Sequence, residues 1–97
     1  MPPLLLNQAP CPEEREHHVR FGLGAGVEPQ LHEAFEKRFG FPLVEVWGMT
    51  ETGRIYADRE EPRQIHTRAF GRPHGGFEAR VVNDADREVP GGVEGEL

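Results

Sequence analysis

The sequence predicts an α/β fold in which a strand–helix–strand unit is followed by a loop-rich β segment. Residues 19–23 alternate apolar with polar or small side chains, and residues 42–46 form a second short apolar run. Between them, apolar residues recur at helical spacing from Leu31 to Phe39. A strand, a helix and a strand within about thirty residues are typical of the βαβ unit of a parallel sheet.

The segment before the first strand holds four of the nine prolines. We expect residues 2–8 to be the end of an apolar element that packs on a partner surface. Residues 9–18 are expected to form a loop, or a short helix that starts after Pro12, because Glu13 and Glu14 suit the positive end of a helix.

The predicted helix has a clear start and a clear end. Pro29 suits a first helical position, and Gly40 suits the left-handed position that ends many helices. Phe35 and Phe39 lie four residues apart and are expected in the core, whereas His32 is expected on the polar side.

The second half of the chain is expected to contain less regular structure. Residues 54–70 are polar without clear periodicity, residues 77–82 alternate like a strand, residues 83–86 have turn chemistry, and residues 87–89 suit a returning strand. We therefore divide the single domain of residues 1–97 into a βαβ unit with its following loop, 1–53, and a loop and β-hairpin segment, 54–97.

Composition narrows the function classes. The net charge of −6 argues against a nucleic-acid or anionic-membrane surface, and the run Leu4-Leu5-Leu6 is too short for a membrane span. Cys11 is the only cysteine, so no internal disulfide forms and a cytoplasmic setting is expected. No pair among the five histidines has helical metal-site spacing with a cysteine or carboxylate partner.

The loop of residues 47–53 has the residue types of a nucleotide–metal site. Trp47 offers an aromatic face, Gly48 and Gly53 allow tight turns and close approach, Thr50 offers a hydroxyl, and Glu51 offers a carboxylate suited to Mg²⁺. The alternative is a strand-to-loop turn in which Trp47 is core and Glu51 is solvated. The residues alone leave both interpretations open.

Four ordered motifs resemble the adenylate-forming (AMP-binding) superfamily, which holds acyl–CoA synthetases, luciferases and peptide-synthetase adenylation domains. Residues 47–53 resemble its Tyr-Gly-x-Thr-Glu-x-Gly loop, and Gly24-Ala25-Gly26 resembles its Gly-Gly-Ala loop, with Leu23 where the first glycine is expected. Residues 71–73 and 89–97 resemble two downstream elements. Met49 resembles the methionine that acyl–CoA synthetases often carry at this position, where peptide-synthetase adenylation domains usually carry proline. Residues 43–49 look most like the crotonobetaine/carnitine–CoA ligase branch.

The resemblance implies a fragment of the large domain of an ATP-dependent acid–CoA ligase. Such an enzyme joins a carboxylate to AMP, releasing pyrophosphate, and then transfers the acyl group to the thiol of coenzyme A. By resemblance, Trp47 stacks on adenine, Thr50 contacts the α-phosphate and Glu51 holds Mg²⁺. The remaining residues that the resemblance assigns to the adenine and acyl pocket are Gly24, Ala25, Gly26, Gly48 and Met49.

The resemblance also implies that much of the machinery lies outside these 97 residues, including the phosphate-binding lysine, the ribose-binding aspartate and the catalytic lysine of the small domain. We therefore expect the chain alone to be inactive and to expose sheet edges through which it could self-associate. Two alternatives stay open: a non-catalytic module that binds an adenine nucleotide or a protein, and a cloning or gene-prediction product without an independent role.

Overall fold

The structure, a computed structural model, describes all 97 residues and consists of one four-stranded sheet with a helix packed on one face. The strand order is β1-β2-β3-β4. The helices and strands, in chain order, are α1 (Pro2–Leu6), a 3₁₀ helix (Pro12–Arg15), β1 (Gly22–Gly24), α2 (Pro29–Phe39), β2 (Leu43–Met49), β3 (Gly53–Ala57) and β4 (Arg72–Pro73).

The strand–helix–strand prediction is confirmed. β1 pairs with β2 in parallel, with Gly22 opposite Leu43 and Gly24 opposite Glu45, and α2 connects the two strands. β1 begins three residues later than predicted. The amide of Val19 bonds to the Nδ1 of His17, 3.2 Å away, whereas sheet bonding begins with the amide of Gly22 on the carbonyl of Pro42.

α2 has the predicted limits, with Pro29 at its start and Gly40 in the left-handed conformation (φ 76°) after its last residue. Phe35 is buried in a small core with Val27 and Leu43, and Phe39 packs against that core. The expectation that His32 faces solvent is wrong: its side chain is buried, with Nε2 2.5 Å from the carbonyl oxygen of Leu43. Its position three residues before Phe35 places it on the face of α2 that meets the sheet.

β2 is longer than predicted, and its partner β3 was missed. β2 continues through Met49 and pairs antiparallel with β3 up to Gly53, so residues 47–53 form the end of a β-hairpin and not a loop beyond the strand. Gly48 permits this close pairing, because a Cβ atom there would lie 2.0 Å from the carbonyl oxygen of Gly53. The hairpin turn is left with only residues 50–52.

The strand predicted for residues 77–82 is wrong. The segment makes only isolated bridges, from Val82 to Glu88 and to Glu96. Asn83 accepts bonds from the amides of Ala85 and Arg87, and this tight turn leaves room for one bridge before the chain turns again at Pro90. Residues 54–97 therefore hold less regular structure than the alternating pattern indicates.

The core is small, because only eight of 97 residues are buried. Hydrogen bonds and ion pairs between the elements supplement it. Arg38 in α2 donates from Nη1 to the carbonyl of Leu6 at 2.8 Å and from Nη2 to the carboxylate of Glu14 at 3.0 Å. These bonds hold α1 and the 3₁₀ helix against α2. Leu4 and Leu5 of α1 remain exposed. None of the helices combines the length and the apolar character needed to cross a lipid bilayer.

Candidate functional site

A cavity of about 460 Å³ opens at the carboxyl ends of the parallel strands β1 and β2. Ligands of open α/β sheets bind at this edge. The turn after β1, the end of β2, the start of β3 and two side chains from the loop before β4 form its walls. The lining residues are Ala25, Gly26, Val27, Glu45, Val46, Trp47, Gly48, Met49, Gly53, Arg54, Arg68 and Phe70.

The cavity brings together six of the residues singled out in the sequence, which are Ala25, Gly26, Trp47, Gly48, Met49 and Gly53. Gly24 lies behind the wall and does not line the cavity. A Cβ atom at Gly24 would lie 2.4 Å from a methyl group of Val27, so this glycine lets the turn fold tightly onto β1.

Thr50 and Glu51 lie outside the cavity, in the exposed turn between β2 and β3. Neither side chain forms a hydrogen bond or an ion pair within the chain. The structure holds no cluster of three or more His, Cys, Asp or Glu side chains suited to a metal ion. Mg²⁺ is commonly held by one or two carboxylates together with water and substrate phosphates, so the single carboxylate of Glu51 fits that mode of binding.

Three aromatic rings pack together at the site, and two of them, Trp47 and Phe70, line the cavity. The rings of Trp47 and Phe70 are stacked, with centroids 5.6 Å apart, and Tyr56 meets both of them edge to face. The sequence did not indicate Phe70 or Tyr56. Gly71, directly after Phe70, is the sequence feature that could have indicated this close packing. A Cβ atom at Gly71 would lie 2.2 Å from the backbone of Ala57, where β4 pairs with β3.

Glu45 is a second residue that sequence reasoning missed. Its side chain is buried, and its two carboxylate oxygens accept hydrogen bonds from the amides of Gly26 (2.5 Å) and Val27 (3.0 Å). In the sequence it is only the polar position of a short strand. Its partners lie 18 and 19 residues away, so no local pattern reveals them.

Two arginines place positive charge at the cavity. Arg68 is paired with Glu28 at 2.7 Å, whereas Arg54 has no hydrogen-bond or ion-pair partner. The carboxylate of Glu45 is already bonded to backbone amides. The cavity therefore offers one uncommitted cation, which suits an anionic group such as a phosphate or a carboxylate.

A polar network fixes the start of β2, at the opposite end of the strand from the cavity. The carboxylate of Glu36 accepts bonds from the amide of Leu43 at 2.8 Å and from Arg63 at 2.5 Å, and it lies 3.4 Å from Nε2 of His32. Burial raises the pKa of Glu36, but the bonds from Arg63 and Leu43 outweigh it and leave that pKa below its ordinary value of 4.5. β2 is thus held at its first residue by α2.

Comparison with known proteins gives one family. Residues 4–97 match the family model described as AMP-binding enzyme. The chain is 38% identical over 82 residues to a sulfoacetate–CoA ligase of Cupriavidus necator, across 81% of this chain and 16% of that protein. It is 36% identical over 97 residues to a crotonobetaine/carnitine–CoA ligase of Salmonella arizonae, across 96% of this chain and 18% of that protein. The chain therefore spans less than a fifth of the length of these relatives.

Proposed function

The chain belongs to the AMP-binding enzyme family, and on that basis we propose that it is part of an ATP-dependent acid–CoA ligase. The family resemblance of the four sequence motifs is confirmed by a match that covers nearly the whole chain. In the proposed reaction a carboxylate is joined to AMP with release of pyrophosphate, and the acyl group then passes to the thiol of coenzyme A. The 97 residues alone are proposed to be inactive.

One observation carries the proposal for the site: Ala25 and Gly26 face the same cavity as Trp47, Gly48 and Met49. A flat aromatic side chain beside exposed backbone suits a purine base, which needs a stacking surface and close approach. We place the adenine in this cavity, against the indole ring of Trp47.

The exposed hairpin turn supplies the chemistry proposed for the phosphate. The hydroxyl of Thr50 donates to an α-phosphate oxygen, and the carboxylate of Glu51 binds Mg²⁺. Mg²⁺ held by Glu51 would supply positive charge to offset the negative charge at the α-phosphate. The turn is the part of the hairpin that reaches beyond the cavity, which suits a phosphate attached to a base held inside it.

The uncommitted guanidinium of Arg54 favours an anionic ligand in the same cavity. A phosphate oxygen and the carboxylate of the acid are both suitable partners for it. Because the ligand of such an enzyme brings both groups to one place, the charge of Arg54 supports the proposed reaction and does not by itself select the acid.

The class of acid that the parent enzyme activates is also a proposal. Met49 and the residues around it support the proposal that the parent enzyme is an acyl–CoA synthetase close to the crotonobetaine/carnitine–CoA ligase branch. We also propose that residues 1–53 and 54–97 are two parts of one domain, and that the parent enzyme works in the cytoplasm.

The test is an assay on the product of the full reading frame that contains these residues. We expect pyrophosphate release that depends on both ATP and a carboxylic acid, and none from the 97-residue chain alone. Nucleotide binding by the full product without acid-dependent pyrophosphate release, across a panel of short and long acids, would favour the non-catalytic nucleotide-binding alternative and contradict the ligase proposal.

A further inference from the structure

Glu45 is a buried carboxylate at the edge of the candidate site. It lies in β2 two residues before Trp47, opposite Gly24 of β1, and only 8% of it is exposed. No Lys, Arg or His side chain forms an ion pair with it. A buried carboxylate without a cation is costly unless hydrogen bonds compensate its charge.

Two backbone amides provide that compensation. The amides of Gly26 and Val27 donate to different oxygens of Glu45, at 2.5 and 3.0 Å. Hydrogen bonds to a charged acceptor are stronger than those between neutral groups. Through these two hydrogen bonds, Glu45 holds the turn that follows β1 against the middle of β2.

The turn that Glu45 holds forms one wall of the cavity. Ala25, Gly26 and Val27 line it, and Val27 is also buried in the core with Phe35 and Leu43. Gly26 has a positive φ of 67°, and a Cβ atom there would meet no atom within 4 Å, so this part of the wall faces open space. The packing of Val27 in the core and the bonds to Glu45 together hold the wall in position.

We propose that Glu45 is a positioning residue: it holds the Ala25–Gly26 wall at a fixed distance from Trp47 and so sets the width of the cavity for an adenine nucleotide. The inference rests on the proposed function, since it assumes that the cavity binds the nucleotide. It adds a residue that acts through the backbone of the wall and does not need to touch the ligand.

The test compares Glu45→Gln with Glu36→Gln in the 97-residue chain. Both substitutions remove a carboxylate that accepts a backbone amide, but Glu36 binds Leu43 at the far end of β2. Each variant is titrated with AMP and with IMP, and the amide resonances of Gly26 and Val27 are followed by NMR. We expect Glu45→Gln to move both resonances upfield and to weaken binding of both nucleotides about tenfold, as loss of a charge-assisted bond does. Glu36→Gln is expected to leave the affinities unchanged.

Three results would overturn the inference. These are unchanged Gly26 and Val27 resonances in Glu45→Gln, an unchanged affinity for AMP, and a loss confined to AMP, which would make Glu45 a direct contact with the adenine amino group. If Glu45→Gln does not fold, the wild-type chain provides the test. Saturating AMP is then expected to shift the amide resonances of Gly26 and Val27, and unchanged resonances would overturn the inference. A wild-type chain that folds and binds no AMP would instead contradict the proposed nucleotide site.

Discussion

The indole ring of Trp47 lies against the ring of Phe70, with centroids 5.6 Å apart and an angle of 24° between the ring planes. Tyr56 meets Trp47 edge to face from the neighbouring strand at 5.8 Å. One face of the indole is therefore covered by the protein itself. In the proposed site a purine base stacks on the other face of Trp47, and Phe70 helps to orient the indole ring.

Phe70→Leu should weaken both the fold and the site. Losing the stacked ring is expected to lower the free energy of unfolding by about 1 kcal/mol, the usual range for an aromatic pair. Denaturation followed by the fluorescence of Trp47, the only tryptophan, measures this directly. AMP affinity is expected to fall severalfold. Phe77→Leu is the matched control because Phe77 is 47% exposed; equal effects of the two substitutions would contradict the role given to Phe70.

Gly48→Ala should disrupt the hairpin that carries the site. Its Cβ atom would lie 2.0 Å from the carbonyl oxygen of Gly53 and 2.7 Å from the Cα of Arg54, so the two strands have to separate. We expect faster hydrogen exchange in β3 and a lower melting temperature. Gly91→Ala is the control, since a Cβ atom there meets open space. A Gly48→Ala variant as stable as wild type would show that β2 and β3 are not paired as described.

The pH dependence of stability should show the ion pair between Glu36 and Arg63. The folded chain holds the pKa of Glu36 below its ordinary value of 4.5, so the unfolded chain binds the proton more readily. Stability from this group is therefore present above about pH 4.5 and is lost as the pH falls through the lower folded value. Urea denaturation between pH 3 and pH 6 measures how steeply the free energy of unfolding changes with pH. We expect this slope to be shallower in Glu36→Gln. An identical slope in that variant would remove Glu36 from this role.

Glu51→Gln tests the metal ligand. The neutral amide is a poorer ligand for Mg²⁺, so the variant should lose the part of ATP binding that depends on Mg²⁺ and keep its affinity for AMP measured without the metal ion. Calorimetry with and without Mg²⁺ separates the two. Glu60→Gln provides the control, because Glu60 is also exposed and its side chain forms no hydrogen bond or ion pair. Unchanged Mg²⁺ dependence in Glu51→Gln would exclude Glu51 as the ligand.

The sequence predicted the parts of the fold that local signals specify. Pro29 and Gly40 mark the ends of α2 through backbone conformations that belong to those residue types. The parallel pairing of β1 with β2 followed from the order of strand, helix and strand. The glycine turn and Trp47 were expected at one site because the resemblance to the adenylate-forming superfamily assigned both to one pocket.

The remaining features depend on partners distant in the chain. β3 is a short strand whose pairing depends on the absence of a side chain at Gly48, which no periodicity records. The burial of His32 depends on the carbonyl of Leu43, which accepts a hydrogen bond from Nε2 of His32. Phe70 lies beside Trp47 in a structure where β4, which follows Phe70, pairs with β3. The alternation of residues 77–82 predicted a strand, but the turns around it leave only isolated bridges.

The most direct test of the nucleotide site is a titration of the 97-residue chain with AMP, followed by the emission of its only tryptophan, Trp47. A base stacked on the free face of the indole is expected to quench that emission in a saturable way below about 1 mM AMP, the range of weak but specific binding. Phe77→Leu should behave like wild type and Phe70→Leu should need more AMP. A folded wild-type chain whose Trp47 emission stays constant throughout the titration would contradict the account.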